Sequence, residues 1–300
     1  MLVGISATYG SPWEVLLQHF EGHGFRRLRV EDFDGSWDKL EEHATRNYEA
    51  AHVIADVNAP GVLERLEKRP FFVHVSVDAP IDVRLAGSGD ADHVTFMERA
   101  ALHDSEAVVR ATRRAAVQLY VGPGGGLRGR LAEALDELLG GPLAASPLRP
   151  AWDVYFMQLA RLAASRSNCM KRRVGCVIVR ACRVIATGYN GTPRHLRNCH
   201  DGGCARCNGG GSALHTCLCL HAEENALLEA GRERVGEGAV LYCDTCPCLT
   251  CSVKIVQTGI TEVVYSQTYR MDSDSFKVLR AGGVKVRQLQ DAVPPHFLVI

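Results

Sequence analysis

The sequence predicts two α/β domains in series: a parallel, doubly wound sheet first, then a three-layer α/β/α domain built on a mixed sheet. Three observations carry this. Short β-prone runs alternate with helical patterns through the first 140 residues. All 12 cysteines lie between Cys169 and Cys251, so the two halves differ in kind. Between them runs GGPLAASPLRP, Gly140 to Pro150, whose glycines and prolines sustain neither helix nor strand. The expected boundaries are residues 1–140, a linker at 141–150, and 151–300.

In the first half, MLVGIS (1–6), AHVIADV (51–57), FFVHVSVDAP (71–80) and AAVQLYVG (115–122) read as strands buried on both faces. Helical spacing covers Pro12–Glu21, Gly61–Lys68 and Asp92–Arg114. The first strand runs into GISATYGS, Gly4 to Ser11, where a phosphate-binding loop would sit. Such a loop needs G-x-x-x-x-G-K-[ST], because backbone N–H groups cradle the phosphates and the lysine neutralises them. Here Tyr9 stands at the second glycine, Gly10 stands at the lysine, and only Ser11 fits. With VHVSVDAP and the LYVGPGGG turn, this half resembles a P-loop nucleotide-kinase domain of the dephospho-coenzyme A kinase type. Without the lysine it is expected to be degenerate and non-catalytic, a scaffold or oligomerisation module.

The second half opens on WDVYFMQLARLAASRS, with Val154, Met157, Leu159, Leu162 and Ala163 at helical spacing. VGCVIVR (174–180) and RVIATGYNG (183–191) follow, joined by a turn short enough for an antiparallel hairpin. After a cysteine- and glycine-rich insertion come a helix (222–230), the strand AVLYCD (239–244) and a helix (248–258). EVVYSQ (262–267), a helix (274–281) and VKVRQL (284–289) close the pattern of a mixed sheet with helices on its faces.

Composition is that of a globular protein, 46% hydrophobic and 23% charged, with a formal net charge of zero. That balance gives no general attraction to nucleic acid or anionic membrane, and no apolar run reaches membrane-spanning length. MLVGISATYG has no basic n-region or long apolar core of a secretory signal. A reducing compartment is therefore expected, cytoplasmic or also nuclear, where clustered cysteines bind metal more often than they form disulfides.

Two stretches carry the chemistry: LCLHAEENALLEAG (218–231) and CDTCPCLTC (243–251). His221 enters one helix, and Cys248 and Cys251 lie three apart at the start of the next, beside Pro247. Helix N-termini carry partial positive charge, which favours thiolate over thiol. One imidazole and two thiolates make three ligands for a zinc that takes four, and an open fourth position is the catalytic arrangement. Zinc lowers the pKa of bound water from about 15.7 toward roughly 7. Glu223, two residues beyond the histidine, is placed to take that proton and deliver it. H-x-E with P-C-x-x-C resembles the known signature of zinc nucleobase deaminases. Glu224 points about 100° away on the helix and reads as structural. A competing reading joins Cys204-x-x-Cys207 to Cys248-x-x-Cys251 as a zinc ribbon, with His221 in the core.

From Trp152 onward the chain resembles the deoxycytidylate (dCMP) deaminases, and the N-terminal half makes it look like their fungal form. The residues that carry this are RSNCMKRRVGCVIV, ATGYNGTP, CLHAEENALLEAG, LYCDTCPCLTC and GITEVVYSQTY. The resemblance implies hydrolytic deamination of dCMP to dUMP and ammonia, supplying thymidylate synthesis. It also implies Glu223 as the catalytic residue, a zinc on His221, Cys248 and Cys251, and substrate contacts at Asn190, Arg166 and Tyr269. Taken without the family, Asn190 can equally be a turn residue before Gly191, and Tyr269 packing. A second, structural zinc on Cys169, Cys199, Cys204 and Cys217 is implied as well, with Cys207, His215 and Cys219 as competitors. Lys171, Arg172, Arg173, Arg194 and Arg197 compete with Arg166 for the phosphate. Relatives of this kind are homo-oligomers, hexamers among them, with dCTP activating, Mg2+ accompanying it, and dTTP inhibiting. Rival functions are deamination of another cytosine or adenine substrate, as a free nucleoside or within a polynucleotide, and a non-catalytic zinc-stabilised regulatory protein.

Overall fold

The computed structural model describes residues 1–55, 57, 61–140, 148–209, 216–268, 273–289 and 296–300. Two compact units result: Met1–Pro150 with Val293–Ile300, and Ala151–Ala292.

In the first unit, β1 (Leu2–Ala7) is buried at every position, as a strand covered on both faces must be. It lies between β3 (His52–Ala55) and β4 (Phe72–Asp78), with Leu2 opposite both His52 and Phe72. β2 (Arg26–Leu28) adds to β3, β5 (Val117–Tyr120) to β4, and the last strand, β11 (His296–Val299), to β5. All of these pairs are parallel, in the order β11-β5-β4-β1-β3-β2.

The side chains alternate as the pleat requires. Val3 and Ile5 meet Leu16, Leu17 and Phe20 of α1 (Trp13–Gly22) and Leu131 and Leu135 of α7 (Leu127–Gly140). Leu2 packs on the other face, with Leu40 and Ala44 of α2 (Trp37–Arg46) and Leu63 and Leu66 of α3 (Val62–Leu66). The doubly wound parallel sheet expected from the sequence is thus present.

Two expectations need correction here. The helical pattern over Asp92–Arg114 is two helices, α5 (His93–His103) and α6 (Glu106–Arg114), preceded by α4 (Ile81–Ser88). The break falls at Asp104, whose carboxylate accepts the Tyr9 N–H at 2.8 Å and pairs with Arg84, a tertiary tie that local spacing does not encode. The other is the span 151–300. Its last strand belongs to the first unit, where Ile300 donates its N–H to the Tyr120 carbonyl at 3.0 Å and covers an otherwise open sheet edge.

The second unit is a five-stranded sheet in the order β10-β9-β8-β6-β7. β6 (Gly175–Arg180) runs antiparallel to β7 (Arg183–Tyr189) and to β8 (Val240–Thr245); β9 (Glu262–Gln267) and β10 (Lys285–Gln288) continue parallel to β8. Ala181 and Cys182, both at positive φ, close the hairpin. Along β6, Val177 and Val179 pack on one face with Phe156, Met157 and Ala160 of α8 (Trp152–Ala164). Cys176 and Ile178 pack on the other with α10 (Ala222–Val235), α11 (Leu249–Thr258) and α12 (Ser273–Ala281). These are the three layers expected. The helix expected over 222–230 ends at a kink at Gly231 (φ 67°, ψ 153°), and a further turn runs on to Val235. A short α9 (Ala205–Asn208) sits inside the cysteine-rich insertion.

His74 of β4 is 3% exposed and reaches Ser6 Oγ through Nε2 at 2.8 Å. Burial, then Arg114, hold its pKa down at about 4. The Glu67 carboxylate is 3.8 Å away, but Arg114 already occupies it. A histidine whose folded pKa lies below its unfolded value binds its proton more weakly when folded. Its contribution is therefore intact above about 6.5 and is lost as pH falls toward 4. Urea unfolding at pH 7.5 and pH 5 is expected to show the wild type losing about 2 kcal/mol more than His74→Gln. Equal losses in the two proteins would remove His74 from the acid response.

Candidate functional site

Two helix starts converge over the sheet. His221 is the N-cap of α10, in extended backbone, and its carbonyl accepts the first helical bond from Asn225 at 3.0 Å. Cys248 is the N-cap of α11 and accepts likewise from Ser252 at 2.9 Å; Cys251 follows in the first turn. The result is one compact group of His221, Cys248 and Cys251. His221 Nδ1 lies 3.3 Å from each sulfur. A tetrahedral zinc with Zn–N about 2.0 Å and Zn–S about 2.3 Å sets that edge at roughly 3.5 Å, so the three donors fit the ion. Among the described residues no fourth side chain joins them.

The three donors lie close enough to set one another's protonation. Hydrogen bonding from Cys251, against the cost of burial, and from His221 holds Cys248 down at about 3, in the thiolate form. Cys248, through its hydrogen bond, raises His221 to about 9, and Cys248 together with burial pushes Cys251 far up. Glu223 is 4% exposed and lies outside the ligand group. Burial raises its carboxyl to about 7, and its field reaches His221 and Cys251. Such a group exchanges protons readily near neutral pH.

Several residues hold this geometry without being legible as site residues. Glu224 accepts the His221 N–H at 2.8 Å and pairs with Lys254, locking the start of α10 to α11. Ser275 of α12 donates to the Pro247 carbonyl at 2.7 Å and meets Ser252 at 2.7 Å, fixing the turn that presents Cys248. A Cβ on Gly188 would stand 2.2 Å from the Ala222 carbonyl oxygen, so only glycine lets β7 approach the turn carrying His221 and Glu223. The glycines of GYNG were the available signal, but what they admit is visible only in three dimensions.

Asn190, at the end of β7, is buried. Its Oδ1 accepts from Ser167 Oγ (2.6 Å) and Val174 N–H (2.9 Å), and its Nδ2 donates to the Arg172 carbonyl at 2.8 Å. Its side chain therefore holds the 167–174 segment. Arg166 is exposed just beyond α8. Tyr269 and His215 lie outside the described residues. Cys243 is buried in the core, so it and Cys246 do not form the ligand pair.

The expected second ligand set, Cys169, Cys199, Cys204 and Cys217, is not brought together as one group. Two groups of four form instead: Cys169, Cys199, Cys207 and Cys219, and Cys204, Cys207, Cys217 and Cys219. Cys207, carried inward by α9, and Cys219, two residues before His221, stand between the other four and belong to both groups. The Cys204/Cys207 plus Cys248/Cys251 ribbon does not form, because its two halves fall in different groups.

In the first unit, the loop at 8–11 is closed on itself. The Tyr9 N–H is bound by Asp104 at 2.8 Å, Ser11 Oγ meets Thr8 Oγ1 at 2.6 Å, and Thr8 donates to Asp78 at 2.7 Å. A cavity of 290 Å³ opens here, but carboxylates occupy the donors that would hold phosphate.

Residues 150–267 match the family described as the cytidine and deoxycytidylate deaminase zinc-binding region. The chain is similar to the deoxycytidylate deaminase of Saccharomyces cerevisiae, 50% identical over 322 aligned positions that cover 100% of both chains. It is equally similar to that of Schizosaccharomyces pombe, 50% identical over 274 positions, 87% of this chain and 83% of the relative. The chain belongs to the deoxycytidylate deaminase family. Among solved structures it is similar to the dCMP deaminase of cyanophage S-TIM5 in complex with dCMP and dUMP. That likeness is 33% identical, covers 47% of this chain and 98% of that one, and has a TM-score of 0.41. The family's zinc-binding region, residues 150–267, supports Zn2+ as the chain's metal, and the His221, Cys248 and Cys251 group lies within it.

Gly188→Ala in this deaminase is expected to move the start of α10 and cut turnover by about 100-fold, since a displacement near 1 Å suffices for that. Steady-state assay beside circular dichroism checks it: a folded variant with wild-type turnover would sink the close-approach argument.

Proposed function

We propose that the chain catalyses hydrolytic deamination of dCMP to dUMP and ammonia, supplying thymidylate synthesis. The observation that carries this is the three-donor group with a buried carboxylate beside it, in a chain 50% identical along its whole length to named deoxycytidylate deaminases. Zinc, when bound, is a Lewis acid that lowers the pKa of water at its open position. The chain's residues do the rest. His221, Cys248 and Cys251 fix three corners of the ion. Glu223 takes a proton from the attacking water and returns it to the departing amine, with burial keeping both of its protonation states accessible. Water adds to the carbon bearing the exocyclic amine; the adjacent ring nitrogen keeps one of the water's protons, the other leaves on the amine as ammonia, and the C=O forms as the C–N bond of that tetrahedral adduct breaks.

The sugar and phosphate are proposed to lie at the end of β7, where Asn190 orders the 167–174 segment and Arg166 and Tyr269 are the candidate contacts. A structural zinc in the insertion cysteines, activation by dCTP with Mg2+, inhibition by dTTP, hexameric assembly and a cytoplasmic location belong to the same proposal and rest on the resemblance. No helix among the described residues is long and apolar enough to cross a membrane. The first unit is proposed to be non-catalytic, because Asp104 and Asp78 hold its loop closed.

Glu223→Gln is expected to keep its zinc and its circular dichroism spectrum while dCMP turnover drops at least 1,000-fold, the range for losing a proton shuttle. Unchanged turnover, or wild-type activity confined to an oligonucleotide substrate, would end the reading. Within the same assay, dCTP and dTTP should move the dCMP saturation curve in opposite directions, and a curve indifferent to both would remove the regulation. Ser11→Ala should leave turnover unaltered, and the protein should transfer no phosphate from ATP to nucleosides or nucleotides; transfer to any of them would make the first unit a kinase.

A further inference from the structure

We propose that Cys169, Cys199, Cys204, Cys207, Cys217 and Cys219 hold two zinc ions, with the sulfurs of Cys207 and Cys219 bridging them. The inference rests on the reading of this cluster as a zinc site and adds the number of ions and the bridge. Four thiolates at about 2.3 Å around a tetrahedral zinc stand roughly 3.8 Å from one another. The observed sulfur separations are 3.9 Å for Cys169–Cys207, 3.9 Å for Cys204–Cys217, 3.7 Å for Cys207–Cys217 and 3.9 Å for Cys207–Cys219. None approaches the roughly 2.05 Å of a disulfide, and all six are free thiols. The spacing is that of sulfurs ligating the same ion.

There are two four-sulfur groups, sharing Cys207 and Cys219, and within each the sulfurs lie no more than 4.8 Å apart. The groups share the Cys207–Cys219 edge, and that edge has tetrahedral length. Charge favours the same count. Six thiolates around one dication would leave a net charge of −4, whereas two dications reduce it to −2. A single ion would instead leave two thiols crowded against its ligands. The residual charge is met locally. The Met170 N–H points to Cys199 Sγ and the Leu218 N–H to Cys204 Sγ, both at 3.4 Å, and Arg206 Nη1 approaches Cys217 Sγ at 3.8 Å. An iron–sulfur cluster takes four thiolates and separates them with sulfide, so six thiolates at these spacings do not suit it.

The cluster also has a position that matters. Cys217 and Cys219 lie in the segment that pairs with Gly191 through Leu220 (2.9 and 3.2 Å) and then becomes His221. Two ions would therefore anchor the chain immediately before the catalytic histidine, where regular secondary structure does not.

The test is zinc content by mass spectrometry with zinc-edge X-ray absorption on the full-length protein, purified under reducing conditions. Three zincs per chain are expected, with a metal–metal vector at about 3–4 Å. His221→Ala should hold two zincs and keep that vector, which separates the cluster from the catalytic ion. Cys169→Ser should lose the vector and at least one zinc. Two zincs per chain in the wild type without a metal–metal vector would overturn the bridge and leave a single structural ion. One zinc, absent from His221→Ala, would overturn the cluster and leave the deaminase reading standing. A wild-type count unchanged in His221→Ala would overturn the catalytic site instead.

Discussion

The geometry depends on one constraint: two helices must begin side by side over the same sheet, with the donor atoms of their first residues brought within 4.8 Å of one another. His221 opens α10 and Cys248 opens α11. A metal site assembled from two helix starts is only as exact as the spacing between those helices. That spacing is set twice, by Gly188 admitting the backbone at Ala222 and by Glu224 tying the His221 N–H to Lys254. Glu223 is buried at the start of α10, whereas Glu224, one residue later, is turned to the His221 N–H and Lys254.

The same logic extends to the segments that lack regular structure. The 167–174 stretch is held by the carboxamide of Asn190, and segments 199–209 and 216–219 are drawn together at their cysteines. Both segments border the end of β7 and the approach to His221. A loop cannot position chemistry unless something replaces the hydrogen-bond ladder it lacks. Here an asparagine does so on one side and a cysteine cluster on the other.

The first unit carries a loop that turns inward on its own side chains. Its sheet is a complete parallel array with a continuous apolar core on both faces. Its anion-binding donors are instead satisfied internally, the Tyr9 N–H by Asp104 and the Thr8 hydroxyl by Asp78. Carboxylates at that place oppose phosphate.

The order of layers, the mixed sheet and the grouping of His221 with Cys248 and Cys251 were legible in the residues, because hydrophobic period and H-x-E with P-C-x-x-C are local patterns that survive without tertiary context. Asn190 was visible only as a turn or a contact, since the bonds that use its carboxamide come from residues 16 to 23 positions away. The long helix from Asp92 and the last strand were misjudged for a similar reason. Asp104 breaks the first through a partner 95 residues distant, and β11 pairs with a strand it follows by nearly the whole second unit. The cysteine set was the sharpest case. Spacing proposes ligands but cannot say which sulfurs stand between others, and only the fold put Cys207 and Cys219 at the centre. The sequence by itself determined which chemical groups are present and which elements carry them. The tertiary structure decided which of those groups share an ion, because ligand distance is a property of packed elements and not of the chain.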